Sequence, residues 1–201
     1  MFIEQIPVWL RFIKGIKWRF SHKKKTIYLT FDDGPIPEIT PWVLDLLDKY
    51  HIKATFFCVG ENVSKHPQLY QEILRRGHQT GNHTYKHIKA LCTPNEEYFA
   101  NVEKAASLIH SKLFRPPHGL MRYSQIKELR KHYRIILWDV VPRDYNRKLS
   151  PEKVLQKACR YTRNGSIIVF HDSLKVEKNM TYALPRYIEY CLSKGYQFEL
   201  L

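Results

Sequence analysis

From residue 26 onward the chain alternates short runs rich in Ile, Val, Phe and Tyr with longer stretches of helical periodicity, and no linker or repeat interrupts the rhythm. The expected strands cover residues 26–31, 54–59, 134–138, 167–170 and 196–200, with 78–82 and 113–115 placed by the rhythm of their neighbours. Most are too uniformly apolar for a sheet with one wet face, so they read as strands buried on both sides. Helical patterns cover residues 41–50, 67–76, 95–110, 124–132, 151–163 and 184–194. Ser150 before Pro151, and Pro67, suit helix starts, while Gly77 and Gly195 suit helix exits. Seven strands alternating with six helices imply parallel pairing through right-handed crossovers. The expected class is therefore α/β, with an incomplete barrel of about seven parallel strands ahead of a doubly wound open sheet.

The densest polar clusters each follow the C-terminal end of one of these strands. Asp32-Asp33 follows the first, and His83 with His87 follows the third. Arg115-Pro116-Pro117-His118-Gly119 leaves the fourth, Asp144 trails the fifth, and His171-Asp172 follows the sixth. Parallel α/β sheets gather such ends into one rim, so residues scattered along the sequence converge in space. No single motif carries that weight: ten histidines yield about half an H-x-x-x-H pair by chance. Gly34 and Pro35 add to the first cluster by fixing a sharp turn beneath it.

Two imidazoles four residues apart share one face of a helical turn and grip a metal together. One carboxylate of the Asp pair completes a three-ligand set that leaves positions open for water and substrate. Zinc suits these ligands, and Co²⁺, Ni²⁺ or Fe²⁺ also fit. The other carboxylate is then free to take a proton from metal-activated water. His171 is suited to protonate a leaving group, with Asp144 orienting it. Arg115 would hold the base carboxylate ionised and aimed. Together these parts describe metal-assisted acyl hydrolysis.

The same stretches resemble the polysaccharide deacetylases of carbohydrate esterase family 4, the NodB homology domain, over residues 26–201. Thr30-Phe31-Asp32-Asp33-Gly34-Pro35 resembles the first family motif, which implies Asp32 as general base and Asp33 as metal ligand. His83-Thr84-Tyr85-Lys86-His87 resembles the second, implying His83 and His87 as the remaining ligands. Arg115 to Gly119 resembles the third, whose Arg braces the base. Asp144-Tyr145 falls where the family has Asp-Trp, and Val169-Phe170-His171-Asp172 where it has Leu-x-His with a general-acid His. The resemblance implies a distorted (β/α) barrel acting on an acetylated carbohydrate polymer or oligomer. His118 replaces a Tyr that serves through its backbone N–H in the oxyanion hole, so the exchange spares that function. Tyr145 and Val169, with Pro117, are expected to line the small pocket for the acetyl methyl. Lys86 places a cation near the ligands and favours an anionic substrate.

Lys and Arg (33) exceed Asp and Glu (19), a formal charge of +14 that favours polyanionic company. The cations are dispersed rather than interleaved with aromatics, which speaks against a specific nucleic-acid site. Four spread cysteines without a C-x-x-C pair exclude zinc-finger spacing and a disulfide scaffold. No run of 18 uncharged apolar residues marks a membrane span. Residues 1–25 read as a separate extension before a catalytic domain of residues 26–201, with seven basic side chains and one acid. Arg11, Lys14, Lys17 and Arg19 break its apolar stretch, which argues against a cleavable signal and leaves localisation open between the cytoplasm and the membrane periphery. Trp9, Phe12, Ile13, Ile16 and Phe20 form the stripe of an amphipathic helix that either plugs the domain's underside or lies on an anionic membrane. Two rivals to N-deacetylation stand beside it: an O-acetyl esterase of xylan type using the same site, and a catalytically silent polyanion-binding protein.

Overall fold

The computed structural model describes residues 15–21 and 23–201. Its organising strand is β2 (Thr26–Asp32), buried at six of seven positions because both of its faces are covered. Ile27, Leu29 and Phe31 join the core beneath the helices, while Tyr28, Thr30 and Asp32 alternate to the barrel interior. Strand β3 (Thr55–Cys58) pairs parallel on one side and β7 (Ile167–His171) on the other.

The remaining strands are β1 (Ile16–Lys17), β4 (Gln79–Asn82), β5 (Leu113–Phe114) and β6 (Arg134–Ile136). The sheet runs β1-β6-β5-β4-β3-β2-β7, seven parallel strands curled into an incomplete barrel. An isolated bridge between Val140 and Ile168 ties the chain after β6 to β7, with Val169 N–H donating to the Val140 carbonyl at 3.0 Å. The final strand β8 (Gln197–Phe198) pairs with β2, outside the main path.

Around the sheet lie α1 (Thr40–Lys49), α2 (Gly60–Lys65), α3 (Pro67–Arg75), α4 (Asn95–Ala106), α5 (Tyr123–Leu129), α6 (Pro151–Tyr161) and α7 (Glu177–Ser193). Helix α6 begins as its sequence dictates: the Ser150 hydroxyl accepts from Lys153 N–H and Pro151 takes the first turn. Helix α7 begins seven residues before the expected start at 184, and Pro185 lies inside it. Buried Met180, Ala183, Leu184, Tyr187, Ile188 and Cys191 continue one stripe across the proline. Packing of that stripe, with α6 alongside, outweighs the hydrogen bond that proline removes. Helix α4 stops at Ala106 rather than running on to 110, and α2 is an addition to the expected set.

Residues 1–14 and 22 lie outside the described residues, and with them Trp9, Phe12 and Ile13 of the expected stripe. Its other members are not helical. Ile16 belongs to β1 and Phe20 N–H donates to the Gly165 carbonyl at 2.8 Å. The open edge of β6 offers backbone partners there, and Trp18 is buried beside Leu137. Among the described residues no helix is long and apolar enough to cross a membrane.

Candidate active site

Registry between β2 and β7 sets the floor and the rim of the site. Tyr28 faces Ile167, Thr30 faces Val169 one layer higher, and Asp32 faces His171 at the strand ends. Val169 is thus fully buried beneath the rim residues rather than exposed among them. Arg115, leaving β5, is 0% exposed and reaches across the interior to Asp32, with Nη1 at 2.5 Å from Oδ1. Its remaining donors go to Thr30 Oγ1 (2.9 Å) and to the Ile136 and Leu137 carbonyls, and its guanidinium stacks 4.0 Å over the Phe57 ring. The ion pair is therefore saturated by partners, the condition under which a buried charge is tolerated.

Beyond Asp32 the chain turns sharply. Asp33 adopts φ 88°, a left-handed conformation uncommon for a residue with a side chain. Asn62 Nδ2 holds the Asp33 carbonyl at 2.8 Å, and buried Asp172 accepts from Gly34 N–H at 2.9 Å and from Thr40 Oγ1 at 2.7 Å. A Cβ on Gly34 would meet Asp172 Oδ2 at 2.0 Å, so the close approach requires glycine. Burial, with Asp33 nearby, pushes the Asp172 carboxyl up to about 8 despite those two hydrogen bonds.

His83 and His87 do not share a helical turn. They lie on a loop after β4 with Thr84 at φ 63° and His87 at φ 52°. Asn82 Oδ1 accepts from Thr84 N–H at 2.8 Å, and the first N–H groups of α2 donate to the Thr84 and Tyr85 carbonyls, each at 2.9 Å. That bracing brings one ligand atom each from Asp33, His83 and His87 within 4.8 Å of one another. His87 Nε2 lies 3.3 Å and His83 Nε2 3.9 Å from Asp33 Oδ1. Atoms about 2.1 Å from a tetrahedral ion lie roughly 3.4 Å apart, so the triangle fits one.

Two further observations favour an ion there. Asp33 Oδ1 is buried without a hydrogen-bond partner among the described residues. His83 Nδ1 lies 2.7 Å from the Arg115 carbonyl, which fixes the proton on Nδ1 and leaves the Nε2 lone pair facing Asp33. Burial and the neighbouring His87 hold His83 well below the ordinary imidazole range, in the neutral form a ligand requires.

On the opposite side His171 Nδ1 meets Asp144 Oδ1 at 2.8 Å, and the backbone N–H of His171 donates to Asp144 Oδ2 at the same distance. Asn179 Nδ2 donates to the Asp144 carbonyl at 3.0 Å and fixes that loop. Burial alone would lower the imidazole, but Asp144, with Asp33 and Asp32 beyond, pushes it up to about 10. Tyr145 is partly exposed, its ring edge-on to His171 at 5.1 Å. Pro117 is buried in a 3₁₀ turn, and the following His118 takes φ 61° with its ring 4.9 Å from that of His87.

The residues given catalytic, ligand or pocket roles from the sequence thus lie at this rim or directly beneath it. Thr30 and Asp172, which lie in the sequence motifs without an assigned role, and Asn62, which lies outside them, hold the Asp33 turn and the Arg115 guanidinium.

The family model described as polysaccharide deacetylase matches residues 20–133. The chain belongs to that family, carbohydrate esterase family 4 with the NodB homology domain. It is 31% identical to a peptidoglycan-N-acetylglucosamine deacetylase of Bacillus cereus over 91% of this chain and 89% of that protein. A chitooligosaccharide deacetylase of Bradyrhizobium is 32% identical over 74% of this chain and 71% of its own length. A solved peptidoglycan N-acetylglucosamine deacetylase superposes with a TM-score of 0.90 at 29% identity, over 98% of this chain and 95% of that one.

Proposed function

We propose that this chain is a metal-dependent hydrolase that removes N-acetyl groups from N-acetylglucosamine units of a polysaccharide or oligosaccharide. Asp33, His83 and His87 would hold the divalent ion, most simply zinc. When bound, that ion supplies a Lewis acid that acidifies water and polarises the acetyl carbonyl. Asp32 acts as the base: Arg115 holds its Oδ1, and its Oδ2 turns to the ligands, 4.0 Å from His83 Nε2. As Asp32 takes a proton from water, the water oxygen bonds to the carbonyl carbon, and the backbone N–H of His118 steadies the growing negative charge.

His171 then gives its proton to the sugar nitrogen as the carbon–nitrogen bond breaks and acetate leaves. Asp144 keeps the imidazole protonated and aimed for that step. An amine leaves only with such help, so a strongly protonated His171 favours N-acetyl over O-acetyl substrates. Tyr145 beside it, Val169 beneath and Pro117 opposite would close a pocket for a small acyl group. The relatives act, by name, on peptidoglycan and chitooligosaccharide, and both carry the proposed sugar.

The observation that carries this reading is the buried Asp33 Oδ1, which lacks a hydrogen bond among the described residues and lies between two imidazoles, beside an arginine-bound Asp32. Acetate release from N-acetylglucosamine oligomers and from acetylated xylan, with EDTA and after added zinc, tests it. Release from the oligomers that EDTA stops and zinc restores is expected. Release indifferent to EDTA, or confined to xylan, overturns it.

A further inference from the structure

We infer that the face opposite the active-site rim docks on an anionic lipid bilayer. An open groove of about 560 Å³ lies there, lined by Gly15, Ile16, Lys17, Arg130, Lys131, Tyr133, Arg134 and Ile135. Topology fixes its position. Gly15 and Ile16 open β1, Arg134 and Ile135 open β6, and residues 130–133 follow α5, so all sit at the N-terminal edge of a parallel sheet. The rim residues sit at the C-terminal ends of the same sheet. A molecule resting on the groove would therefore present its site away from the surface, toward a polymer.

The groove's chemistry selects the partner. Lys17, Arg130, Lys131 and Arg134 are all exposed, and Lys112 joins them because Arg134 N–H donates to its carbonyl at 2.8 Å. Glu128, paired with Lys131 at 2.6 Å, is the one acid in residues 127–134. Gly15 lets the Arg130 stem lie against the backbone, where a Cβ would meet Arg130 Cδ at 3.1 Å. Such a patch concentrates anions of any source. Its continuation in sequence argues for lipid: residues 1–14 lead directly into Gly15 and carry Phe2, Trp9 and Phe12 with Arg11 and Lys14. Aromatics mixed with cations suit a bilayer interface, whereas a soluble polyanion needs only the cations.

Sedimentation of the full chain with vesicles of phosphatidylglycerol and phosphatidylcholine, against phosphatidylcholine alone, tests this. Binding only to the anionic vesicles, weakened by salt, is expected. Each basic group at such a surface contributes about a fivefold factor, so combined Arg130→Gln, Lys131→Gln and Arg134→Gln should lower partitioning roughly a hundredfold. That triple variant should deacetylate a soluble oligomer as before, since none of the three touches the rim. Trp9→Ser should weaken vesicle binding while sparing binding to soluble polyglutamate. The inference is overturned if the triple variant binds vesicles like the parent, if lipid charge makes no difference, or if Trp9→Ser leaves vesicle binding intact.

Discussion

At the active-site rim, Arg115 is 0% exposed with each of its nitrogens committed, and Asp144 grips His171 through both carboxylate oxygens. At the opposite edge Lys17, Arg130 and Arg134 stand exposed, and Lys131, in the turn after α5, pairs with Glu128 in solvent. The backbone differs in the same sense. Asp33, Thr84, His87 and His118 hold positive φ around the rim, whereas positive φ at the edge falls on Gly15. Charge buried at the rim defines geometry atom by atom; charge exposed at the edge defines only a potential. Substitutions should therefore cost much at one end and little at the other.

The largest stability effect is expected from Arg115→Ala, which strands the buried Asp32 carboxylate. Denaturant unfolding should register a loss of about 3–5 kcal/mol, and a loss under 1 kcal/mol would break the contrast. Asp172→Ala leaves Gly34 N–H and Thr40 Oγ1 without their acceptor, for about 1–3 kcal/mol and a misplaced Asp33. Asp172→Asn keeps an oxygen for Gly34 and should recover most of both stability and turnover.

Asp144→Asn acts on titration more than on stability. A raised imidazole stays protonated until pH climbs through its pKa, so the acid His171 is lost only toward about 10. Without Asp144 burial prevails, and the alkaline limb of acetate release should move to lower pH by more than about one unit. An unmoved limb would separate His171 from the acid step. The smallest effect belongs to the edge: Lys131→Gln should change stability by less than about 0.5 kcal/mol and leave turnover alone.

The same contrast governs what the sequence discloses. Strands β2, β3 and β7 are legible because burial on two faces leaves uniform apolar runs. Strand β1 is not, since Ile16 also fits a helical stripe and two residues show no strand alternation, and its existence depends on the open edge of β6. The helical pattern expected from 184 misses the first turns of α7, because Pro185 weighs against a helix locally while the packing that overrides it is tertiary. At the site, residue types were legible and backbone was not. The i, i+4 spacing of His83 and His87 is the same on a helix as on a loop kinked at Thr84, so it could not reveal the loop. The roles of Asp172 and Asn62 were not legible because each holds a main-chain group of the Asp33 turn, and every residue possesses such groups.

The central claim is that proton abstraction and ion binding reside in adjacent but separate aspartates. Bound zinc and acetate release, measured together on Asp32→Asn and His83→Ala, address it most directly. Asp32→Asn should keep its zinc while turnover falls between about a hundredfold and ten-thousandfold, and His83→Ala should lose both. Normal turnover in Asp32→Asn, or full zinc occupancy in His83→Ala, would contradict the account.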